Sequence, residues 1–546
     1  MNIPEGMLYL RATWGITMTE FMNALNAELK EEKQLTENGA VGFVTSGSAI
    51  VDFNFKMSSY RSKSESDIQH DFAKVFAADR TLAMKMLFFA GDIREGMGER
   101  KVFNACMAWL AQEHPDYCSA VIPLIPEYTR WDYVVKLLYG PCDAMAWALI
   151  YDQWCADEEK LNFKDPGVSL LAKWLPSINA SNTERNGLGK KIARRLGLKE
   201  RDYRKRLAAL RARIKVVERQ MSANAWDAID YNGVPSKANI IYRNAFLKHD
   251  ATRRMAYLDA LKSGDASVKI HSDVAFPYEI AHGYMSDLGW YSRHVRAEDN
   301  TLEAMWKALP DYTKGLSTGG TLCVVDGSGS MFDSIGRTNI FAETVAVSIG
   351  IYFAEKLTGP FHDKFITFSE KPKLVDLSPY STLAGKLARA LKESDCSNTN
   401  IERTFDLILS AAVNGRLKQE ELPATVLVIS DMEFDNAIEV DNVGSLRFSV
   451  PGYAHARVYK TLFQNIETKF RKLGYKLPRL VFWNINSRTS TVPLQENECG
   501  VALVSGFSPA IASMVLSGKL DPLEVLMDRL NSKRYDAIGR ALVNIK

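Results

Sequence analysis

The chain has 546 residues, 46% of them hydrophobic and 24% charged, a make-up that fits a folded protein of more than one domain and excludes a disordered one. The net charge of +3 is too small to class its partners by charge alone. The longest apolar stretch, residues 344–354 between Glu343 and Glu355, falls well short of the roughly 20 residues a membrane span needs, so no membrane partner is expected.

Residues 1–60 read as an N-terminal arm. Met1 to Glu20 has neither a basic start nor a continuous apolar run, so no signal peptide is expected. Thr19 to Gln34 suits one helix, and Glu37-Asn38-Gly39-Ala40 and Ser46-Gly47-Ser48 suit turns.

Residues 61–316 read as an all-α domain, a solenoid-like array of short helices. Phe72, Val75 and Phe76 form one apolar stripe at helical spacing. Val102, Phe103, Cys106, Trp109 and Leu110 form another, and prolines such as Pro115, Pro235 and Pro277 mark helix starts. No strict sequence period runs through the array. Arg94-Glu95-Gly96-Met97-Gly98-Glu99-Arg100 is a glycine-bearing turn entering a helix; a helix–helix turn is the plainer reading beside a phosphate site, and no Gly-Lys-Ser/Thr follows it. The tryptophans Trp109, Trp131, Trp174 and Trp226 read as core.

Within this half, Arg185 to Arg219 holds fourteen Lys/Arg and three Asp/Glu, whereas the rest of residues 1–316 holds 28 basic against 37 acidic residues. Tyr203, Leu207, Leu210, Ile214 and Val217 share one helical face, with Arg204, Lys205, Arg211, Arg213, Lys215 and Arg219 elsewhere. Lys190, Lys191, Arg194 and Arg195 add charge just before. Such a face suits the phosphates of a nucleic acid, with salt-dependent affinity. It equally suits a solvated face matched to the acidic remainder of the domain.

Near Leu309-Pro310 to Gly319-Gly320 the pattern changes, and residues 317–546 alternate strands and helices. Thr321 to Val325, Lys364 to Phe368, Thr425 to Ile429, Arg479 to Asn484 and Gly500 to Val504 read as strands, with Lys373-Leu374-Val375 as a hairpin partner. Helices are expected at 338–357, 381–394, 400–413 and 454–473, and after Pro509 and Pro522. This alternation implies a Rossmann-like α/β domain with a mainly parallel sheet covered on both faces. The whole is thus a multidomain α plus α/β chain. Its seven cysteines are scattered without a Cys-x-x-Cys pair and read as reduced thiols of a cytoplasmic protein. The eight histidines show no zinc-site spacing.

Asp326-Gly327-Ser328-Gly329-Ser330-Met331 follows the first of those strands. The turn lies at the carboxyl end of a parallel strand, where open α/β sheets bind ligands. A carboxylate and two hydroxyls at alternate positions converge there, and such hard oxygen donors suit Mg²⁺ or Mn²⁺. A second buried strand ends in Ser430-Asp431, and Ser397-Asn398-Thr399-Asn400 lies between the two. The plainer alternative is a Rossmann-like sheet with polar strand ends. No nucleophile–base pair accompanies these carboxylates, so no enzyme is expected.

Asp326-x-Ser328-x-Ser330 resembles the metal-ion-dependent adhesion site (MIDAS) of von Willebrand factor A domains, whose pattern continues with a loop Thr and a strand-end Asp. The resemblance implies that Ser328, Ser330 and Thr399 bind a metal directly and that Asp326 and Asp431 act mostly through water. Ser430-Asp431-Met432 departs from the family's frequent Thr-Asp-Gly but keeps the carboxylate. A helical module followed by an A domain resembles, in domain order, the Ro autoantigen group (TROVE-module proteins), in which a ring of helical repeats binds small noncoding and misfolded RNAs. Five stretches are similar to those of an uncharacterised family of intracellular A-domain proteins: Gly96-Met97-Gly98-Glu99-Arg100, Ile125-Pro126-Glu127-Tyr128-Thr129-Arg130-Trp131-Asp132, Val234-Pro235-Ser236-Lys237, Ser430-Asp431-Met432-Glu433-Phe434 and Val504-Ser505-Gly506-Phe507-Ser508. The Ro resemblance implies a scaffold for small noncoding or structured RNA; the charge pattern, and not the resemblance, places the contacts at Lys190, Lys191, Arg194, Arg195, Arg204, Lys205, Arg211 and Lys215. The alternative is a protein-interaction module in which the metal captures an acidic residue of a partner.

Overall fold

The computed structural model describes residues 33–35, 41–43, 46–163, 167–214, 216–289, 292–314, 316, 320–336, 338–394, 401–432, 466–486, 501–516, 521–543 and 545. The chain opens with a hairpin of β1 (Lys33–Leu35) and β2 (Val41–Phe43), antiparallel with Leu35 opposite Val41. Gln34 is therefore in a strand, which corrects the end of the helix expected over 19–34; residues 19–32 lie outside the described residues. The turn pair Asn38-Gly39 between the two strands suits a hairpin and outweighs helix propensity there.

Helices then follow one another: α1 (Ala49–Phe55), α2 (Glu65–Ala78), α3 (Arg80–Gly91), α4 (Arg100–Glu113), α5 (Pro115–Val121), α6 (Ile125–Tyr128), α7 (Trp131–Lys136) and α8 (Asp143–Asn162). The run continues with α9 (Leu171–Trp174), α10 (Thr183–Arg195), α11 (Glu200–Arg213), α12 (Val217–Ser222), α13 (Ser236–His249), α14 (Ala251–Ser263), α15 (Pro277–Met285) and α16 (Asn300–Lys307). Local chemistry sets many of their ends. Ser64 and Asp67 form a reciprocal capping box at the start of α2. The stripe Phe72, Val75 and Phe76 is buried as its spacing requires.

The second half builds one sheet from β3 (Thr321–Asp326), β4 (Lys364–Phe368), β5 (Leu374–Asp376), β6 (Thr425–Ser430), β7 (Arg479–Asn484) and β8 (Val501–Ser505), in the order β5-β4-β3-β6-β7-β8. Only β5 runs antiparallel, as the hairpin partner of β4. This is the doubly wound order, which reverses between β3 and β6 and opens a crevice at their carboxyl ends. Its helices are α17 (Ala342–Lys356), α18 (Leu383–Glu393), α19 (Ile401–Gly415), α20 (Ala512–Leu516), α21 (Pro522–Leu530) and α22 (Asp536–Leu542). The helix expected over 454–473 is described only from residue 466 onward.

Both faces of the sheet are covered. Leu322, Val324, Val426 and Val428 pack with Phe405, Ile408 and Leu409 of α19. Cys323, Val325, Leu427 and Ile429 point the other way, into a core that runs through α17 into the helical half. Every residue of α17 from Ala342 to Ala354 is buried, because the helix lies between sheet and helical half. That is why its sequence is apolar all round. Gly350 makes the approach to the sheet: a Cβ there would lie 2.4 Å from Val325 Cγ2.

The two halves are also tied at their ends. Asn484 Nδ2 donates to the Phe55 carbonyl at 3.1 Å, and Ser58 N to Ser505 Oγ at 3.3 Å, which seats the N-terminal arm against β7 and β8. Arg534, just before α22, makes a two-pronged pair with the fully buried Asp92, at 2.9 and 3.2 Å. From α16, Glu303 accepts from the first backbone N–H groups of α18, Leu383 N at 2.8 Å and Ala384 N at 3.1 Å.

Candidate functional site

The strand-end site is built by register. β3 and β6 lie side by side with Val325 opposite Ile429, so Asp326 and Ser430 end their strands together. Asp326 is fully buried; its Oδ1 accepts from Ser328 N at 2.9 Å and its Oδ2 from Ser430 Oγ at 2.5 Å. Those bonds hold the carboxylate in one orientation. Ser328 Oγ and Ser330 Oγ lie 3.0 Å apart. Two neighbouring ligands of an octahedral Mg²⁺, each bonded at about 2.1 Å, stand about 3.0 Å apart. Asp431, only 1% exposed, follows β6, and Met432 turns the chain with φ +64°, its N–H donating to Ser430 Oγ at 3.0 Å. Ser330 is half-buried, so among the described residues the cluster keeps one side less than fully covered.

Thr399 lies outside the described residues. The segment leading to it starts at the site nonetheless: Ser394 Oγ donates to the Gly327 carbonyl at 3.1 Å. A Cβ on Gly327 would sit 2.5 Å from that hydroxyl and 3.2 Å from Ser394 Cα, so any larger residue here would push Ser394 away. Among the described residues no group of three or more His, Cys, Asp and Glu side chains is arranged to hold a metal. A cation at this point would rest on mixed carboxylate and hydroxyl donors.

Glu343, in the first turn of α17, is a feature that the motif does not announce. It is fully buried and neither carboxyl oxygen has a hydrogen-bond partner. Burial pushes its pKa up to about 8, with the Asp326 charge adding to the rise and Ser394 and Arg293 opposing it. The carboxyl is mostly neutral at pH 7. Its only sequence signal was a Glu heading an otherwise apolar helix.

The basic segment divides into two. On α10, Arg195 pairs with Asp143 at 2.7 Å and its guanidinium lies 4.4 Å from the Trp147 ring centre; that bond holds the Asp143 carboxyl below its ordinary value. Lys191 Nζ lies 5.0 Å from the Tyr139 ring centre, and Lys190 Nζ is 3.9 Å from Glu200 Oε1; Arg194 is exposed. The other part lines an open groove of about 1270 Å³ between α9, α11 and α12. Arg204, Lys205 and Arg211 of the expected set line it, joined by Lys173, Arg201 and Arg219, with Glu218 as its one carboxylate. Lys215 lies outside the described residues. Lys173 was not legible because it comes from α9, some thirty residues earlier, and only tertiary docking brings it beside α11.

Two expectations about this segment are corrected. The long helix through Val217 breaks: α11 ends at Arg213, and Val216 is extended, φ −62° and ψ 116°. Val217 instead joins a separate small core with Ile229, Tyr231 and Phe246, and burial there outweighs a continued stripe. Arg211 does not project freely. Its Nε, Nη1 and Nη2 donate to Ala172 O (2.9 Å), Ser177 Oγ (2.7 Å) and Leu175 O (2.7 Å), and desolvation lowers its pKa. It is a fixed charge in the groove wall because those carbonyls need donors.

The glycine turn before α4 is structural. Gly98 has φ +67°, a Cβ on Gly96 would lie 2.1 Å from the Phe89 carbonyl oxygen, and Glu99 takes a two-pronged pair from Arg61. The described cysteines Cys106, Cys118, Cys142, Cys155 and Cys323 are free thiols. No described helix is long and apolar enough to cross a membrane.

Comparison with known proteins adds the following. Residues 36–126 and 143–318 match the family described as Domain of unknown function (DUF2828), and residues 320–535 match Domain of unknown function (DUF7788). The change from helices to sheet falls between the two matches. The chain is 29% identical over 535 residues to Uncharacterized protein L728 of Acanthamoeba polyphaga mimivirus, covering 90% of this chain and 86% of that protein. Among solved structures it is similar to the Ro (RSR) protein of Deinococcus radiodurans, at 14% identity and a TM-score of 0.41, over 87% of this chain and 99% of that one.

Proposed function

We propose that the chain is an RNA-binding scaffold of Ro type: the helical half holds RNA phosphates in the basic groove, and the sheet half, read as a von Willebrand A domain, holds Mg²⁺ or Mn²⁺ at the ends of β3 and β6. The observation that carries the RNA reading is the groove, six cations against one carboxylate on an otherwise acidic half. Phosphate contacts of this kind dominate nucleic-acid affinity. The cation reading is supported by the fixed Asp326 carboxylate and the 3.0 Å pair of serine hydroxyls. Asp431 and Thr399 would complete the site by the A-domain pattern. We assign no catalysis, and the free thiols suit a cytoplasmic setting.

The test is RNA binding by the full chain across a range of salt. Arg201, Arg204, Lys205 and Arg219 line the groove and are exposed, so changing all four to Gln spares the core. The slope of log K against log salt should flatten by roughly 3 if each meets one phosphate. A variant that binds RNA like the wild type removes the RNA reading. The half-buried Ser330, on the less covered side of the strand-end site among the described residues, favours the second reading, a module that captures an acidic residue of a partner through the metal. Material copurifying from the native host separates them: nucleic acid supports the scaffold, a stoichiometric protein lost with chelator supports the module.

A further inference from the structure

Resting on the cation reading of the strand-end site, we infer that Glu343 is a further residue of that site. Its carboxylate, on the first turn of α17, balances the charge of the cation from the α17 side of the Asp326 turn. Cation binding is thereby joined to the helix that both halves of the chain share. The motif of Asp326, Ser328 and Ser330 with a loop Thr and a strand-end Asp does not include this position.

The backbone holds Glu343 beside the serine turn. Asp333 N donates to the Ser330 carbonyl at 3.1 Å, and Ala342 N, one residue before Glu343, donates to the Asp333 carbonyl at 3.2 Å. An antiparallel bridge pairs Ser334 with Phe341 and closes the loop between the turn and α17. Ser394, which donates to the Gly327 carbonyl, also lies near the Glu343 carboxyl, and that carboxyl feels the charge of Asp326. The neighbouring strand ends level with the site. Phe368 of β4 is opposite Asp326, and Ser369 follows it, 1% exposed, its hydroxyl without a partner among the described residues.

Glu343 is fully buried, and neither carboxyl oxygen has a hydrogen-bond partner among the described residues. A buried carboxyl without a partner costs stability in either protonation state, and a second carboxylate nearby adds to the cost. An apolar residue would simply continue the buried surface of α17, which runs to Ala354. A cation at the ends of β3 and β6 reverses this balance. It attracts both carboxylates, and their low-dielectric surroundings strengthen the attraction. The described acidic, histidine and cysteine side chains form no three-membered ligand set, so Glu343 acts on the cation across Ser394 and not at bonding distance. It is a positioning residue for charge. With Asp326 and Asp431 it sets three carboxylates against a divalent ion, which leaves no positive charge to draw an acidic residue of a partner.

The experiment titrates Mn²⁺ into the full chain by calorimetry, at one pH and ionic strength, for the wild type, Glu343→Gln and Glu343→Asp. Glu343→Leu, apolar like the rest of α17, is a second neutral variant for the same comparison. Circular dichroism and urea unfolding with chelator check the fold of each. Glu343→Gln should bind Mn²⁺ at least tenfold more weakly than the wild type, yet unfold no more readily with chelator present. Glu343→Asp keeps the charge and should bind more tightly than the glutamine variant. A packing role alone would shift the unfolding curves and leave Mn²⁺ affinity unchanged. Wild-type affinity in the neutral variants, or equal losses in Glu343→Gln and Glu343→Asp, overturns this inference and leaves the cation site standing. If the wild type binds no Mn²⁺, both fall.

Discussion

Glu343→Gln tests the burial that surrounds the strand-end site. In the folded chain the Glu343 carboxyl titrates at about 8, against an ordinary value of 4.5, and burial is the main cause. Below the ordinary value the carboxyl is protonated in both folded and unfolded chains, so it costs nothing. As pH rises above that, the unfolded chain releases the proton and the folded chain keeps it, so stability falls until pH passes the folded value. At 1.36 kcal/mol per unit, the cost approaches about 5 kcal/mol at alkaline pH and is about 3 kcal/mol at pH 7. Glutamine keeps the shape and cannot ionise, so this slope should vanish. The assay is urea unfolding of both proteins with chelator present, since a cation nearby would pull the pKa back down. Between about pH 4.5 and pH 7.5 the wild type should lose roughly 3–4 kcal/mol relative to the variant. Parallel pH profiles would show that the carboxyl is ionised in the fold and that water reaches it.

Asp326→Asn and Asp431→Asn should each weaken Mg²⁺ or Mn²⁺ binding at least tenfold in calorimetry while leaving RNA binding nearly intact; wild-type titrations in both would remove the cation site. Arg534→Met takes from the buried Asp92 carboxylate the one cation that pairs with it among the described residues, leaving it the Arg94 backbone N–H at 3.0 Å and the Tyr535 hydroxyl at 3.3 Å. It should cost about 3 kcal/mol in urea unfolding; a loss under about 1 kcal/mol would show that those two donors are enough. Proteolytic cutting at residues 315–319 should leave two pieces that comigrate on gel filtration, because α1 sits on β7 and β8 and the tail sits on the helical half; free, folded pieces would refute the shared core.

The sequence alone determined the elements whose signals are local. Thr321 to Val325 and Thr425 to Ile429 are short β-branched runs ended by polar residues, and both are buried parallel strands. The alternation after residue 320 is enough for a doubly wound sheet, since crossover connections between parallel strands need helices. Asp326, Ser328 and Ser330 were legible because they lie at one strand end and the turn after it, and Asp431 because it directly follows the neighbouring strand.

What the tertiary structure decided lies in contacts between distant residues. Arg211 looks the same in sequence as Arg204, yet the carbonyls of Ala172 and Leu175 claim it as a wall of the groove. Lys173 joins the groove, while Arg195 and Lys191 turn to Asp143 and Tyr139. Val217 leaves its stripe for another core. Glu343 is neutral because α17 is covered on every side, and the two halves share one core because α17, the arm and the tail cross between them. Periodicity reports which face of an element is apolar. Which other element covers that face is set by long-range burial, and burial fixes which charges stay in water to meet a ligand.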